Sequence, residues 1–137
     1  MSRIVLISCV SKKLSHKAMA KDLYISTLFK LNLAYAKSLN PDKIFILSAK
    51  YGLVNLGEEI EPYNTTLNIM HSKEIKEWAS NVIEKLSKVA DLKNDEFVFL
   101  AGNRYRKFLV PRTKNYKVPL EGLSIGRQLQ FLKARLK

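Results

Sequence analysis

The sequence predicts an α/β domain, a three-layer sandwich around a central, mostly parallel β-sheet. Three observations carry that expectation. First, three apolar runs recur: Ile4-Val5-Leu6-Ile7, Ile44-Phe45-Ile46-Leu47 and Phe97-Val98-Phe99-Leu100. Unbroken runs of this length suit strands covered on both faces by helices. Second, segments with helical apolar spacing separate the runs, and such alternation favours a layered α/β fold. Third, a short polar segment follows each run: Ser8 to Lys13, Ser48 to Gly52 and Gly102 to Tyr105. Ligands of such sheets bind outside the carboxyl ends of the strands. The three tips are therefore expected to converge on one cleft.

Element by element, the first strand ends at the Ser8-Cys9 tip. Ala20, Leu23, Tyr24, Thr27, Leu28, Leu31, Ala34 and Tyr35 then keep helical spacing and predict one continuous helix with an apolar stripe. Asn40-Pro41 ends it, because the residue before a proline avoids helical angles. The second strand spans about Lys43 to Ser48. Residues 52–71 carry Gly52, Gly57 and Pro62 and read as irregular. Ser72 is the expected N-cap of a second helix, with Ile75, Trp78, Ala79, Val82, Ile83, Leu86, Val89 and Ala90 facing inward. Lys93-Asn94-Asp95 turns into the third strand. A short helix from about Asn103 to Val110 is stopped by Pro111. Pro119 to Gly122 forms a turn, and Ser124 caps a last helix with Ile125, Leu129, Leu132 and Leu136 inward.

A chain of 137 residues fits one domain, residues 1–137. There is no internal repeat, low-complexity tract or linker. No stretch approaches the roughly 20 apolar residues of a membrane span, so no membrane partner is expected. Met1-Ser2-Arg3 runs straight into a strand pattern without the apolar segment of a signal peptide, which points to the cytoplasm. One cysteine excludes an internal disulfide, and with only His16 and His71 beside it a structural zinc site is not expected. We expect no metal and no cofactor. The formal net charge is +12, and it is uneven: from Gly102 onward ten lysines and arginines face a single acid, Glu121. A concentrated basic segment is the footprint of a nucleic-acid partner, with a solvated basic face as the alternative.

Several motifs together carry a resemblance. They are Ser8-Cys9 with Ser11-Lys12-Lys13, Asp22 to Ser26, Leu47 to Val54, Pro62-Tyr63-Asn64, Trp78-Ala79, Gly102 to Tyr105 and Pro119 to Gly126. In this order and spacing the chain resembles a small bacterial and phage domain family with no settled function. Leu47 to Val54 followed by Ile60-Glu61-Pro62-Tyr63 is also similar to the matching stretch of YaaA-type peroxide-stress proteins. That similarity implies DNA binding and protection against oxidative DNA damage. The layout further resembles the uracil-DNA-glycosylase-like fold, with sites at strand ends. The glycosylases' Gly-Gln-Asp-Pro-Tyr loop is absent, so their mechanism does not carry over residue by residue.

The tips supply the candidate site. Cys9 is a candidate nucleophile, with Lys12 and Lys13 favouring its thiolate, or a small packing residue at a strand end. Ser8, Ser11, Lys12 and Lys13 suit a phosphate, though without a P-loop pattern. Tyr24 fits the core stripe, whereas Ser26 lies off it and is a candidate to approach the cleft. Ser48 ends a strand. Lys50 suits a phosphate, Tyr51 a stacked base and Gly52 a positive φ. Pro62 and Tyr63 are expected at the cleft wall. Glu61, beside them, is the candidate general base for hydrolysis of a glycosidic bond, against a solvated-loop alternative. Gly102, Asn103, Arg104 and Tyr105 combine a strand-end glycine with a basic, aromatic helix start suited to an anion and a base. Together these residues predict binding of nucleic acid, DNA foremost, or a nucleotide. The enzymatic version is an N-glycosylase-like hydrolase acting on modified or damaged bases in repair or phage defence. The alternatives are a non-catalytic DNA-binding protein of stress protection and an enzyme processing small nucleotides.

Overall fold

The computed structural model describes residues 1–137. Along the chain lie β1 (Arg3–Ser8), β2 (Ala18–Met19), α1 (Ala20–Leu23), α2 (Thr27–Ser38), β3 (Lys43–Ser48), β4 (Gly52–Asn55), β5 (Glu59–Ile60), α3 (Ser72–Ser87), β6 (Glu96–Leu100), α4 (Asn103–Arg106), β7 (Asn115–Lys117) and α5 (Ile125–Arg135). The three apolar runs form the middle of a five-stranded sheet of order β4-β3-β1-β6-β7. β1 pairs in parallel with β3 and β6, and β6 with β7; only β4 is antiparallel to its neighbour. Helices flank this mostly parallel sheet, as a three-layer sandwich requires. α2 packs on β1 and α5, while α3 contacts β4 and α4.

The central strand explains the order. Ile4, Val5, Leu6 and Ile7 have no exposed surface, so both faces of β1 are covered. Burying one such side chain contributes about 1.5–3 kcal/mol, which makes this run the natural centre of the sheet. At the amino ends of the strands, polar side chains fasten the termini. The Asp95 carboxylate accepts from the Ser2 and Asp91 amides, each at 2.8 Å, and Arg3 meets Glu96 at 2.6 Å. These contacts hold the Asp95 and Glu96 carboxyls below their usual range, with the Asp91 amide the largest cause for Asp95 and Arg3 for Glu96. No helix is long and apolar enough to cross a membrane.

Several local expectations need correction. The predicted first helix is two pieces. Tyr24 leaves helical geometry (φ −88°, ψ 119°) to pair with Lys13, and the chain restarts at Ser26. The break shifts the helical phase. Phe29, Asn32 and Ala36 face inward on α2, while Thr27 and Ala34 are exposed. Asn32 is buried with no partner for its Oδ1. The stretch from residue 52 is not irregular throughout. Gly52 takes φ +73° and turns the chain into β4, and β5 pairs with β2 in a second small ladder. α3 is capped by His71 rather than Ser72, the Glu74 carboxylate accepting from the His71 amide at 3.3 Å. α3 ends at Ser87, which leaves Val89 exposed. The helix after β6 stops at Arg106, and Pro111 opens a separate 3-10 turn, Val110–Arg112. Ser124 caps α5 as expected, accepting from Arg127, but Ile125 is 66% exposed.

Candidate functional site

Parallel pairing of β3, β1 and β6 puts their carboxyl ends side by side, so the three polar tips share one end of the sheet. Backbone geometry begins the assembly: the Cys9 amide donates to the Leu47 carbonyl at 3.0 Å. Side chains complete it. Cys9 is buried, with its Sγ 3.4 Å from the Tyr105 hydroxyl. Trp78, from α3, stands edge-on to Tyr105 at 5.6 Å and donates its Nε1–H to the Ser48 carbonyl at 2.9 Å. The Ser48 hydroxyl accepts from the Tyr51 amide at 3.0 Å and donates to the Tyr63 hydroxyl at 2.7 Å. Tyr63 in turn lies 2.6 Å from the Tyr24 hydroxyl. Tyr51 stands edge-on to Tyr63 at 5.5 Å. One bonded network thus joins all three tips to the Pro62-Tyr63 segment.

Most of the network is buried, and its acid–base properties follow. Burial pushes the Tyr24 phenol up to about 12. The Tyr63 and Tyr105 phenols are also raised, burial again being the largest cause. All three stay protonated near neutrality and serve as neutral hydroxyls. Lys13 sits over this aromatic floor, its ammonium 4.4 Å from the Tyr63 ring centroid and 5.7 Å from that of Tyr24. Burial draws its pKa below the usual lysine value, and Cys9 opposes that shift.

Beside the network opens a cleft of about 420 Å³. Cys9, Ser11, Lys13 and Tyr105 line it from the strand-tip segments; Asn64, Thr65, Thr66 and Asn68 line it from the stretch after Tyr63; Ile125 lines it from the start of α5. A cleft of this size falls within the usual range of small-ligand sites, about 300–1,000 Å³. A second groove of about 370 Å³ lies at the β3–β4 turn, between Lys50, Tyr51, Gly52, Trp78, Lys85 and Lys88 among others. Lys50 itself lies 5.3 Å from the Tyr51 ring centroid.

The structure divides the sequence-predicted residues into groups. Cys9, Ser11, Lys13 and Tyr105 reach the first cleft, and Lys50, Tyr51 and Gly52 the second. Ser48 and Tyr63 are buried in the network between them. Ser8 and Pro62 are half-buried beside it, and Lys12, Gly102, Asn103 and Arg104 are exposed at the same end. Two candidates sit elsewhere. Ser26 caps α2, its Oγ accepting from the Phe29 amide at 3.1 Å, instead of facing the cleft. Glu61 is exposed and lines neither cavity; its carbonyl accepts from the Tyr51 hydroxyl at 3.4 Å. Its carboxylate is near enough to Lys17 to help raise that lysine's pKa, after the larger effect of Glu59. Arg106, in the basic carboxyl-terminal segment, holds the Ala101 carbonyl at 2.8 Å and faces Glu121 at 3.7 Å.

Sequence reasoning missed the Asn64–Asn68 wall, Trp78 as the link between tips, and Ile125 at the cleft. The first carried one signal, the polar Asn64-Thr65-Thr66 run after Pro62-Tyr63. Trp78 looked like a core residue, and its indole N–H is what gives it a second role. No curated protein and no solved structure matches the chain, so neither supplies an activity or a named relative for the site. Residues 4–134 match the family described as "Family of unknown function (DUF6884)", and the chain belongs to that family.

Proposed function

We propose that this protein binds nucleic acid or a nucleotide at the strand-end cleft, with a single nucleotide unit entering and the flanking backbone lying on nearby cations. The observation that carries the reading is the makeup of the 420 Å³ cleft: ten lining residues include one cation, no carboxylate and five uncharged polar side chains. Uncharged donors and acceptors suit sugar hydroxyls and base edges, and no lining carboxylate repels a phosphate. Exposed Lys12 and Arg104 adjoin lining residues in the chain, and Arg127 follows Ile125 by two residues. In this reading they hold the phosphates on either side of the entering unit.

The enzymatic form of this reading is hydrolysis of a glycosidic bond in modified or damaged DNA, in the sense of the YaaA-type and glycosylase-like resemblances. The position of Glu61 outside the cleft favours a different proton acceptor for such a step. Incubation of the protein with DNA carrying normal and modified bases, followed by mass spectrometry of released bases and abasic sites, tests it. Released base supports the glycosylase form. Salt-sensitive binding without any change to the DNA supports the non-catalytic form. Absence of binding to DNA, RNA and free nucleotides overturns both.

A further inference from the structure

Lys13 is the one cation among the cleft-lining residues. It takes part in none of the ion pairs of the structure. Its polar contact is the Ser11 carbonyl, which accepts at 3.3 Å. Lys13 is half-buried at the cleft, with the ring faces of Tyr24 and Tyr63 beneath its ammonium and Cys9 nearby. This is a poor design for a phosphate anchor, which works best as a permanently charged group presenting several donors. Partial burial penalises the charged form of the amine and enlarges its neutral fraction. A desolvated lysine is the usual form of an amine that attacks carbonyl carbon. The same ring faces attract a cation that has lost its water, and they suit the cationic product of that attack.

We infer that Lys13 is an amine nucleophile that forms an imine with the aldehyde carbon of a ring-opened sugar phosphate. The inference rests on the reading of the cleft as a nucleotide site. Ser11, Asn64, Thr65, Thr66 and Asn68 supply the hydroxyls and amides that a sugar requires, and no lining carboxylate repels its phosphate. The step balances without an oxidant or reductant. The Nζ lone pair forms a bond to the aldehyde carbon, and the C=O electrons become a hydroxyl. That oxygen leaves as water after taking up protons from the amine and the medium. The C=N bond that remains carries one positive charge. Two sources present the same chemistry: an abasic site in DNA and free 2-deoxyribose 5-phosphate.

Reduction of the imine by sodium borohydride makes it permanent as a secondary amine. The wild-type protein is mixed at neutral pH with an abasic-site oligonucleotide, with free 2-deoxyribose 5-phosphate, or with an intact oligonucleotide, then reduced and digested. Peptide mass spectrometry is expected to place the adduct on Lys13 in clear preference to exposed Lys12, in one or both aldehyde arms and not with the intact oligonucleotide. Preference between the two arms identifies the source. Lys13→Arg keeps the charge and is expected to lose the adduct, while Lys12→Arg keeps it. Site mapping on the wild type does not depend on either variant folding. No adduct at Lys13, or adducts spread evenly over exposed lysines, overturns the inference. Nucleic-acid binding measured on the same samples separates the two ideas. Binding without trapping rejects only the nucleophile, and trapping of the free sugar phosphate without any nucleic-acid binding rejects only the wider reading.

Discussion

At the scale of single residues, the hydroxyl relay from Ser48 through Tyr63 to Tyr24 shows how the core and the site share the same atoms. Tyr24 is 1% exposed, and its one hydroxyl partner is Tyr63 at 2.6 Å. Tyr24→Phe removes half of that pair and leaves Tyr63 bonded to Ser48. It is expected to cost about 1 kcal/mol at neutral pH, the ordinary net worth of a hydrogen bond. The pH dependence is the sharper test. The Tyr24 phenol titrates at about 12 in the fold against a reference of 10.0. Between those values the unfolded chain releases its proton first, so it binds fewer protons than the native state and stability falls as pH rises. The loss from this residue begins near pH 10 and reaches on the order of 2–3 kcal/mol by pH 12. Urea midpoints measured at pH 8, 10 and 12 are expected to fall less steeply in Tyr24→Phe than in the wild type. Identical slopes would remove Tyr24 as a source of alkaline lability.

At the scale of elements, the two glycines at the strand tips separate by function. Gly52 sits at φ +73° in the turn between β3 and β4, and an added Cβ would meet only Val82 Cγ2, at 3.7 Å, and Lys85 Nζ, at 4.0 Å. Space is available, so the cost of Gly52→Ala is conformational, about 1–2 kcal/mol for a left-handed residue with a side chain. Gly102 has φ −65° and nothing within 4 Å of such a Cβ. As the N-cap of a four-residue helix with no side-chain cap bond, Gly102→Ala is expected to cost about 0.5–1 kcal/mol, less than Gly52→Ala. Thermal melts that rank the two variants equally would contradict this. The same contrast explains what was legible in the sequence. β1, β3 and β6 could be read because a fully buried parallel strand writes an unbroken apolar run. Gly52 could be read because the backbone there requires it. β2, β4, β5 and β7 are two to four residues long, too short for a periodic pattern to stand out. The break at Tyr24 was hidden because its cause is a pairing with Lys13, distant in the chain, while local spacing favoured a continuous helix. Ser26 and Glu61 were misplaced for the same reason: sequence gives proximity along the chain, not the direction in which a side chain leaves it.

At the scale of the whole molecule, the fold splits the basic carboxyl-terminal segment between two ends. The start of α4 lies at the cleft end, because α4 follows the tip of β6. The chain then returns through Val110–Arg112 to begin β7 beside the first residue of β6, Glu96 pairing in register with Asn115. Arg112 and Lys114 therefore sit at the end of the sheet away from the cleft. The charge excess that looked like one patch in the sequence contributes only in part to the proposed site. This sets up a discriminating binding experiment. A nucleic acid seated at the cleft meets Arg104 and Arg127, both exposed, and leaves Arg112 and Lys114 unengaged. Each phosphate contact removed is expected to reduce the slope of log K against log salt by about one. Arg104→Ala with Arg127→Ala should flatten the slope by about two, whereas Arg112→Ala with Lys114→Ala should leave it unchanged. Arg106→Ala should act on thermal stability first, since its guanidinium holds the Ala101 carbonyl behind the tip. If both double variants flatten the slope equally, the protein holds nucleic acid by diffuse charge over its surface, and the strand-end cleft is not where the chain is gripped.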